Sequence, residues 1–183
     1  IEKTHPKIVF HFAAQSYVPL AYSAPTETIR SNVIGTLNLL NAVRSSGIAP
    51  RIIVASSSEI YGQVSKEDIP IKETQAIAPV SPYGVSKAAM DMLCRQYFRS
   101  YSMDIIIARM FTMTGPRRGV LFHESSFAWQ IAVHEAGYRR DVIHVGNLDS
   151  LRTYMDVRDA VRAYWLMVSK CAAGAVYNVG GER

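Results

Sequence analysis

No glycine-rich turn of the G-x-G-x-x-G or G-x-x-G-x-x-G type occurs in the 183 residues. The chain therefore carries no phosphate-cradling strand–turn–helix of its own. Cysteine is scarce: Cys94 and Cys171 are the only two, far apart, and fit neither a metal nor a redox spacing. This points to a reduced, cytoplasmic protein. The five histidines, His5, His11, His123, His134 and His144, form no H-E-x-x-H or related pattern, so no structural or catalytic metal is expected. No apolar run approaches the length of a membrane span, and the N-terminus has no signal-peptide layout, so no membrane association is expected. Internal repeats and low-complexity linkers are absent as well.

The net charge is +5, yet the positive residues are scattered. Arg117-Arg118 and Arg139-Arg140 are the only doublets, and no RNP-like or zinc-finger pattern accompanies them. Nucleic acid is therefore not an expected partner. A few arginines aimed at a diphosphate produce the same modest excess, as does a solvated basic surface. With 49% hydrophobic and 19% charged residues, the composition is that of an ordinary globular domain with a proper core.

Apolar, β-branched runs alternate with helical patterns along the chain. Ile8-Val9-Phe10-His11-Phe12-Ala13-Ala14 reads as a buried strand ending in small residues, which let a ligand approach the backbone. Gln15-Ser16-Tyr17 follow as a polar loop, where Ser16 either hydrogen-bonds a ligand hydroxyl or is simply a loop serine. Residues 25–46 repeat apolar positions three or four apart and stop at Gly47. Asn32 inside that helix either holds a water or backbone carbonyl near a site or sits on the surface. Strands are expected at 51–55, 104–110, 142–145 and 176–179, and helices at 82–102, 126–137 and 156–170. Residues 60–80 read as a loop, and 111–125 are polar and glycine-containing. This alternation predicts an α/β fold with a Rossmann-like parallel sheet flanked by helices. Ligands lie at the carboxyl ends of such strands, where Ala13-Ala14, Ser57 to Glu59 and Phe111-Thr112 fall.

The stretch Ser81-Pro82-Tyr83-Gly84-Val85-Ser86-Lys87 reads as a helix start, with Ser81 as cap and Pro82 at the first position. Tyr83 and Lys87 are four residues apart and share one face. An ammonium beside a phenol favours the phenolate and makes it a usable base. Alone, the pair is equally a tyrosine and a lysine on an amphipathic helix.

Three passages taken together change that balance: Ser56-Ser57-Ser58-Glu59-Ile60-Tyr61-Gly62 after a strand, Tyr83-Gly84-Val85-Ser86-Lys87, and Ala108-Arg109-Met110-Phe111. In this order they resemble the extended short-chain dehydrogenase/reductase superfamily. Ala13 to Val18, Ser57-Ser58-Glu59, Pro116-Arg117-Arg118-Gly119 and Gly146 to Arg152 are similar, within it, to the GDP-mannose 4,6-dehydratase family. The resemblance covers essentially the whole chain but only the middle of the family's length. It implies a partial NAD(P)-binding Rossmann-like domain with the catalytic residues at 1–120. Residues 121–183 would be part of a substrate-binding region with returning sheet elements. The family's first strand, glycine turn and ribose-reading strand are expected to precede Ile1. Two departures stand out. Thr112 replaces the usual asparagine after Phe111, and Ser125-Ser126 stand where the dehydratases carry an Arg-Lys pair.

The resemblance also implies roles. Tyr83 takes the proton of the sugar C4 hydroxyl as hydride leaves C4, Lys87 lowers the tyrosine pKa, and Ser57 hydrogen-bonds the C4 oxygen. Glu59 removes the C5 proton and protonates the departing C6 hydroxyl. Ala13, Ala14, Gln15, Tyr83, Lys87 and Phe111 would bind NADP or NAD. Ser16, Ser58, Thr112, Asn147 and Arg152 would bind the nucleotide sugar, Arg152 gripping its diphosphate. A homodimer or higher oligomer through helices 25–46 and 82–102 is implied too, with Met90, Leu93, Tyr97 and Tyr101 as its apolar material. The alternatives within the superfamily are a 4-epimerase, a 4-keto reductase and a UDP-glucuronate decarboxylase-like enzyme. A non-catalytic fragment is the alternative outside it.

Overall fold

The computed structural model describes residues 1–138 and 142–181. In chain order the strands are β1 (Ile8–His11), β2 (Arg51–Ser57), β3 (Ile105–Met110), β4 (Thr112–Thr114), β5 (Tyr154–Asp156) and β6 (Val176–Val179). The α-helices are α1 (Val18–Ser23), α2 (Pro25–Ile29), α3 (Gly35–Ser46), α4 (Pro82–Tyr101), α5 (His123–Glu135) and α6 (Val157–Lys170). A π-helical turn, Arg30–Ile34, joins α2 to α3, and 3-10 turns occupy Ser58–Tyr61 and Lys66–Asp68.

The isoleucine and valine runs become the centre of a parallel sheet ordered β1-β2-β3-β6. Ile52 lies opposite Ile105 and Ser57 opposite Met110, so β2 and β3 end together. Both faces of this sheet are covered, which is why its inner strands are apolar without alternation. Leu40 and Val43 of α3 and Met90, Cys94 and Tyr97 of α4 pack on Ile52, Val54, Ile105 and Ile107. On the other face Ala160, Tyr164 and Met167 of α6 pack on Ile53, Ile106 and Met110. Met90 and Tyr97 are thus core residues, and the expectation that they supply an oligomer interface is corrected. The exposed apolar side chains of α4 are Val85, Met92 and Tyr101.

The helical stretch 25–46 is interrupted by its π turn, which places Asn32 fully buried. Its Nδ2 donates to the Gln15 carbonyl at 3.0 Å and to Ser86 Oγ at 2.8 Å, and its Oδ1 accepts from the Gln15 backbone N–H at 2.7 Å. The widened turn aims the amide inward, so the surface reading of Asn32 fails and the backbone-holding one stands. Strand β1 ends at His11, opposite Val54, rather than at Ala14. Gly47, with φ 70°, terminates α3 as expected.

Other departures have equally local causes. Residues 142–145 form no strand; Val142 and Val145 are exposed, and no strand among the described residues pairs with them. Helix α1 carries Pro19 in its first turn, a start signal that the adjacent polar loop obscured. Strands β4 and β5 are three-residue segments that pair with each other in parallel, too short to show a period. Helix α5 begins three residues before its expected start.

Helix α4 opens as the sequence suggests. Ser81 Oγ accepts from the Gly84 N–H at 3.0 Å, and Pro82 occupies the first turn. Gly84 is required by packing: a Cβ there would lie 2.7 Å from the Glu59 carbonyl oxygen and 3.0 Å from Pro79 Cβ. The missing side chain lets the first turn of α4 press against the turn after β2. Gly84→Ala is therefore expected to destabilise the protein by about 1–3 kcal/mol. Urea unfolding reads this as a lower midpoint at unchanged m-value.

Candidate active site

The carboxyl ends of β1, β2 and β3 open into a cleft of about 710 Å³, a size ordinary for small-molecule sites. Ser57 is the last residue of β2 and caps the turn that follows, its Oγ accepting from the Glu59 N–H at 3.2 Å. Gly84 brings Tyr83, in the first turn of α4, against this turn. The Ser57 hydroxyl and the Glu59 carboxylate both lie near enough to the Tyr83 phenol to shift its pKa. Ala14, Ser16, Ser57, Ser58, Glu59, Tyr83, Lys87, Phe111, Thr112 and Arg152 all line this one cleft. Residues from five separate segments thus meet at the strand ends.

The electrostatics differ from the sequence expectation. Burial raises the Tyr83 pKa above its usual value, the Ser57 hydrogen bond works against that rise, and Glu59 adds to it. Lys87 lies one turn further along α4. Its Nζ donates to the Ala55 carbonyl at 2.8 Å and lies 5.9 Å from the centre of the Tyr83 ring. Burial also pushes Lys87 itself down to about 8. His11 lies buried nearby and is lowered by burial and then by Lys87. Thr36 Oγ1 donates to the Asn32 carbonyl at 2.6 Å, so His11 Nε2, 2.8 Å away, is the donor to Thr36.

Three expected site residues do not line the cleft. Ala13 is exposed outside it. Gln15 is a brace: besides its bonds with Asn32, its Nε2 donates to the Tyr17 carbonyl at 2.8 Å. Asn147 is exposed and its Oδ1 accepts from the Asp149 N–H at 2.9 Å, closing a local polar turn. Conversely, Phe12, Arg118, His123 and Tyr164 line the cleft without having been singled out. Arg118 stacks over Phe122 at 4.0 Å; its signals were an arginine doublet and the Pro116-Arg117-Arg118-Gly119 passage. His123, at the start of α5, hydrogen-bonds the Tyr154 hydroxyl of β5, a pairing no spacing announces. Tyr164 stacks on Phe12 at 4.5 Å and had the periodicity of any helix-face residue. Arg152, expected on a diphosphate, donates from Nη1 to Glu59 Oε1 at 3.1 Å.

A family model described as GDP-mannose 4,6 dehydratase matches residues 1–183. GDP-6-deoxy-D-mannose reductase of Pseudomonas aeruginosa is 39% identical over 174 residues, covering 95% of this chain and 57% of that protein. GDP-mannose 4,6-dehydratase of Yersinia enterocolitica is 34% identical over 172 residues, covering 93% of this chain and 45% of that protein. The solved structure of RMD from Pseudomonas aeruginosa complexed with NADPH superposes with a TM-score of 0.92 at 38% identity, covering 97% of this chain and 61% of that one. The chain thus spans about half the length of the curated relatives it matches.

The Lys87 assignment has a measurable consequence. Its folded pKa, about 8, lies below the unfolded value of 10.5. Between those values the unfolded chain holds the extra proton, so stability rises with pH across that window and is lost as pH falls back through 8. Relative to Lys87→Met, which does not titrate, the wild type should gain about 3 kcal/mol between pH 7 and pH 10.5. Urea unfolding at both pH values checks this, and a constant difference would refute it.

Proposed function

We propose, since the chain belongs to the GDP-mannose 4,6-dehydratase family, that it is the catalytic portion of a nucleotide-sugar 4,6-dehydratase. The substrate is a GDP-mannose-like NDP-hexose and the product an NDP-4-keto-6-deoxyhexose. One observation carries this reading: a hydroxyl, a phenol and a carboxylate from Ser57, Tyr83 and Glu59 line one cleft at the strand ends. A 4-epimerase needs the phenol but no base for C5. Elimination needs both.

In this reading Tyr83 accepts the proton of the C4 hydroxyl while Ser57 donates to the C4 oxygen. Glu59 takes the proton from C5, made acidic by the C4 ketone. It then gives a proton to the C6 oxygen as the C6–O bond breaks and water leaves. A nicotinamide cofactor, NADP or NAD, supplies hydride acceptance at C4 and its return at C6, and in its oxidised form a positive charge. The donor set fits the nicotinamide riboside end of such a cofactor. Ala14 leaves room at a strand end, and Tyr83, Lys87 and Phe111 stand around it. The sequence holds no glycine-rich cradle for the cofactor's pyrophosphate. Lys87 would exchange its Ala55 carbonyl for ribose hydroxyls. Ser16, Ser58, Thr112 and Arg152 would hold the sugar nucleotide.

Residues 1–120 make up the cofactor and catalytic side in this reading, and residues 121–183 the substrate side. The protein works in the cytoplasm as a homodimer or higher oligomer through α2–α3 and α4, whose Ile34, Val85 and Met92 are exposed. No helix among the described residues is long and apolar enough to cross a membrane. A second reading, a 4-keto reductase acting on a GDP-6-deoxy sugar, is favoured by the 39% identity to the Pseudomonas aeruginosa reductase.

Product mass separates the two. The full-length protein, given GDP-mannose and NADP or NAD, is expected to form a product lighter by one water. Glu59→Gln should slow this by a factor on the order of 10²–10⁴. Unchanged product mass, or an undiminished rate in Glu59→Gln, would defeat the dehydratase reading. Gain of two hydrogens by a 4-keto-6-deoxy substrate, with consumption of reduced cofactor, would establish the reductase.

A further inference from the structure

Glu59 does not face the cleft alone. Its Oε1 accepts from Arg152 Nη1 at 3.1 Å, and this contact links the turn after β2 to a residue 93 positions away. Arg152 ends an exposed stretch without regular structure and lies just before β5. The two side chains are 45% and 30% exposed, and both line the cleft. The other cations there are engaged differently: Lys87 is buried on the Ala55 carbonyl, and Arg118 stacks on Phe122 beside Glu124. Arg152 is thus the cleft cation whose partner is itself the group proposed to take the C5 proton.

We infer that Arg152 is an exchangeable partner of Glu59. In the free cleft it covers the carboxylate, and it transfers to the diphosphate of an arriving nucleotide sugar, so the base is uncovered only when a substrate is seated. This rests on the dehydratase reading above. Arg152 is a positioning residue in this scheme, since it acts through Glu59. The physical basis is competition for one guanidinium. A partly exposed single-contact ion pair is weak and easily given up. A diphosphate offers more charge and paired oxygens that match the guanidinium fork. Because the two anions compete, removing the charge of Glu59 must strengthen diphosphate binding, and part of that gain must depend on Arg152.

A double-mutant cycle isolates that dependence. Inorganic pyrophosphate is titrated into the full-length protein at low salt, with binding followed by calorimetry. The forms compared are wild type, Glu59→Gln, Arg152→Gln and the double variant. Loss of simple repulsion between Glu59 and the ligand tightens binding in both backgrounds, so the ratio of the two effects is the informative quantity. Glu59→Gln should tighten binding by a factor about two- to fivefold larger when Arg152 is present than when it is glutamine. Arg152→Gln alone should weaken binding. Equal factors in the two backgrounds, or unchanged binding in Arg152→Gln, would overturn the exchange. The readout is binding, not turnover. A coupled cycle in a protein that forms no dehydrated product keeps the exchange and removes only the dehydratase reading. An uncoupled cycle with Glu59-dependent dehydration does the reverse.

Discussion

A guanidinium and a carboxylate, buried together, hold the walls of the cleft in register. Arg109 of β3 is 1% exposed and Asp91 of α4 is 0% exposed. They meet through two contacts, Nε to Oδ2 at 2.8 Å and Nη2 to Oδ1 at 3.1 Å. Burial opposes the charge on Arg109, but its bonds to Asp91 and Tyr61 outweigh that and raise its pKa. Ser56 donates to the same carboxylate at 3.3 Å, one residue before Ser57. Nη1 reaches the Tyr61 hydroxyl at 2.8 Å and the Glu73 carbonyl at 2.9 Å. The Tyr61 hydroxyl donates to Asn178 Oδ1 of β6 at 2.7 Å. One ion pair therefore fastens β2, β3, β6, α4 and the long 62–80 loop to one another. Either charge without the other would stand unpaired in the core, which is far costlier than an absent pair.

That arrangement fixes distances at the cleft in a way no single element could. Ser57 follows Ser56 on β2, and Tyr83 lies on the helix that carries Asp91. Gly84 removes the side chain that would keep that helix away from Glu59. On the opposite wall, Asn32 braces the end of β1 and reaches Ser86, whose hydroxyl donates to the Tyr83 carbonyl at 2.7 Å. The first turn of α4 is thus held from both sides by buried polar groups whose bonds are satisfied within the protein. Such networks specify one geometry because any other leaves donors or acceptors unpaired.

The same burial sets a chemical constraint. Tyr83 is raised and Lys87 is lowered, both chiefly by loss of water. The free cleft therefore disfavours the phenolate that the proposed reaction needs. The Glu59–Arg152 pair is likewise a free-cleft arrangement, one that an anionic ligand can replace.

Much of this was legible in the residues. Ile52-Ile53-Val54 and Ile105-Ile106-Ile107 specify buried parallel strands because only a sheet covered on both faces tolerates such runs. Ser81 and Pro82 specify where α4 starts, and the four-residue spacing of Tyr83 and Lys87 puts both on one face. These are local properties, fixed by side-chain branching, capping and helical period. What the tertiary structure alone decided was every partner across the chain: Asp91 for Arg109, Gln15 for Asn32, Arg152 for Glu59, and the Ala55 carbonyl for Lys87. It also left 142–145 unpaired and buried Met90 and Tyr97 in the core. Those outcomes depend on which groups lose water together, and loss of water is a property of the packed molecule rather than of any stretch of its sequence.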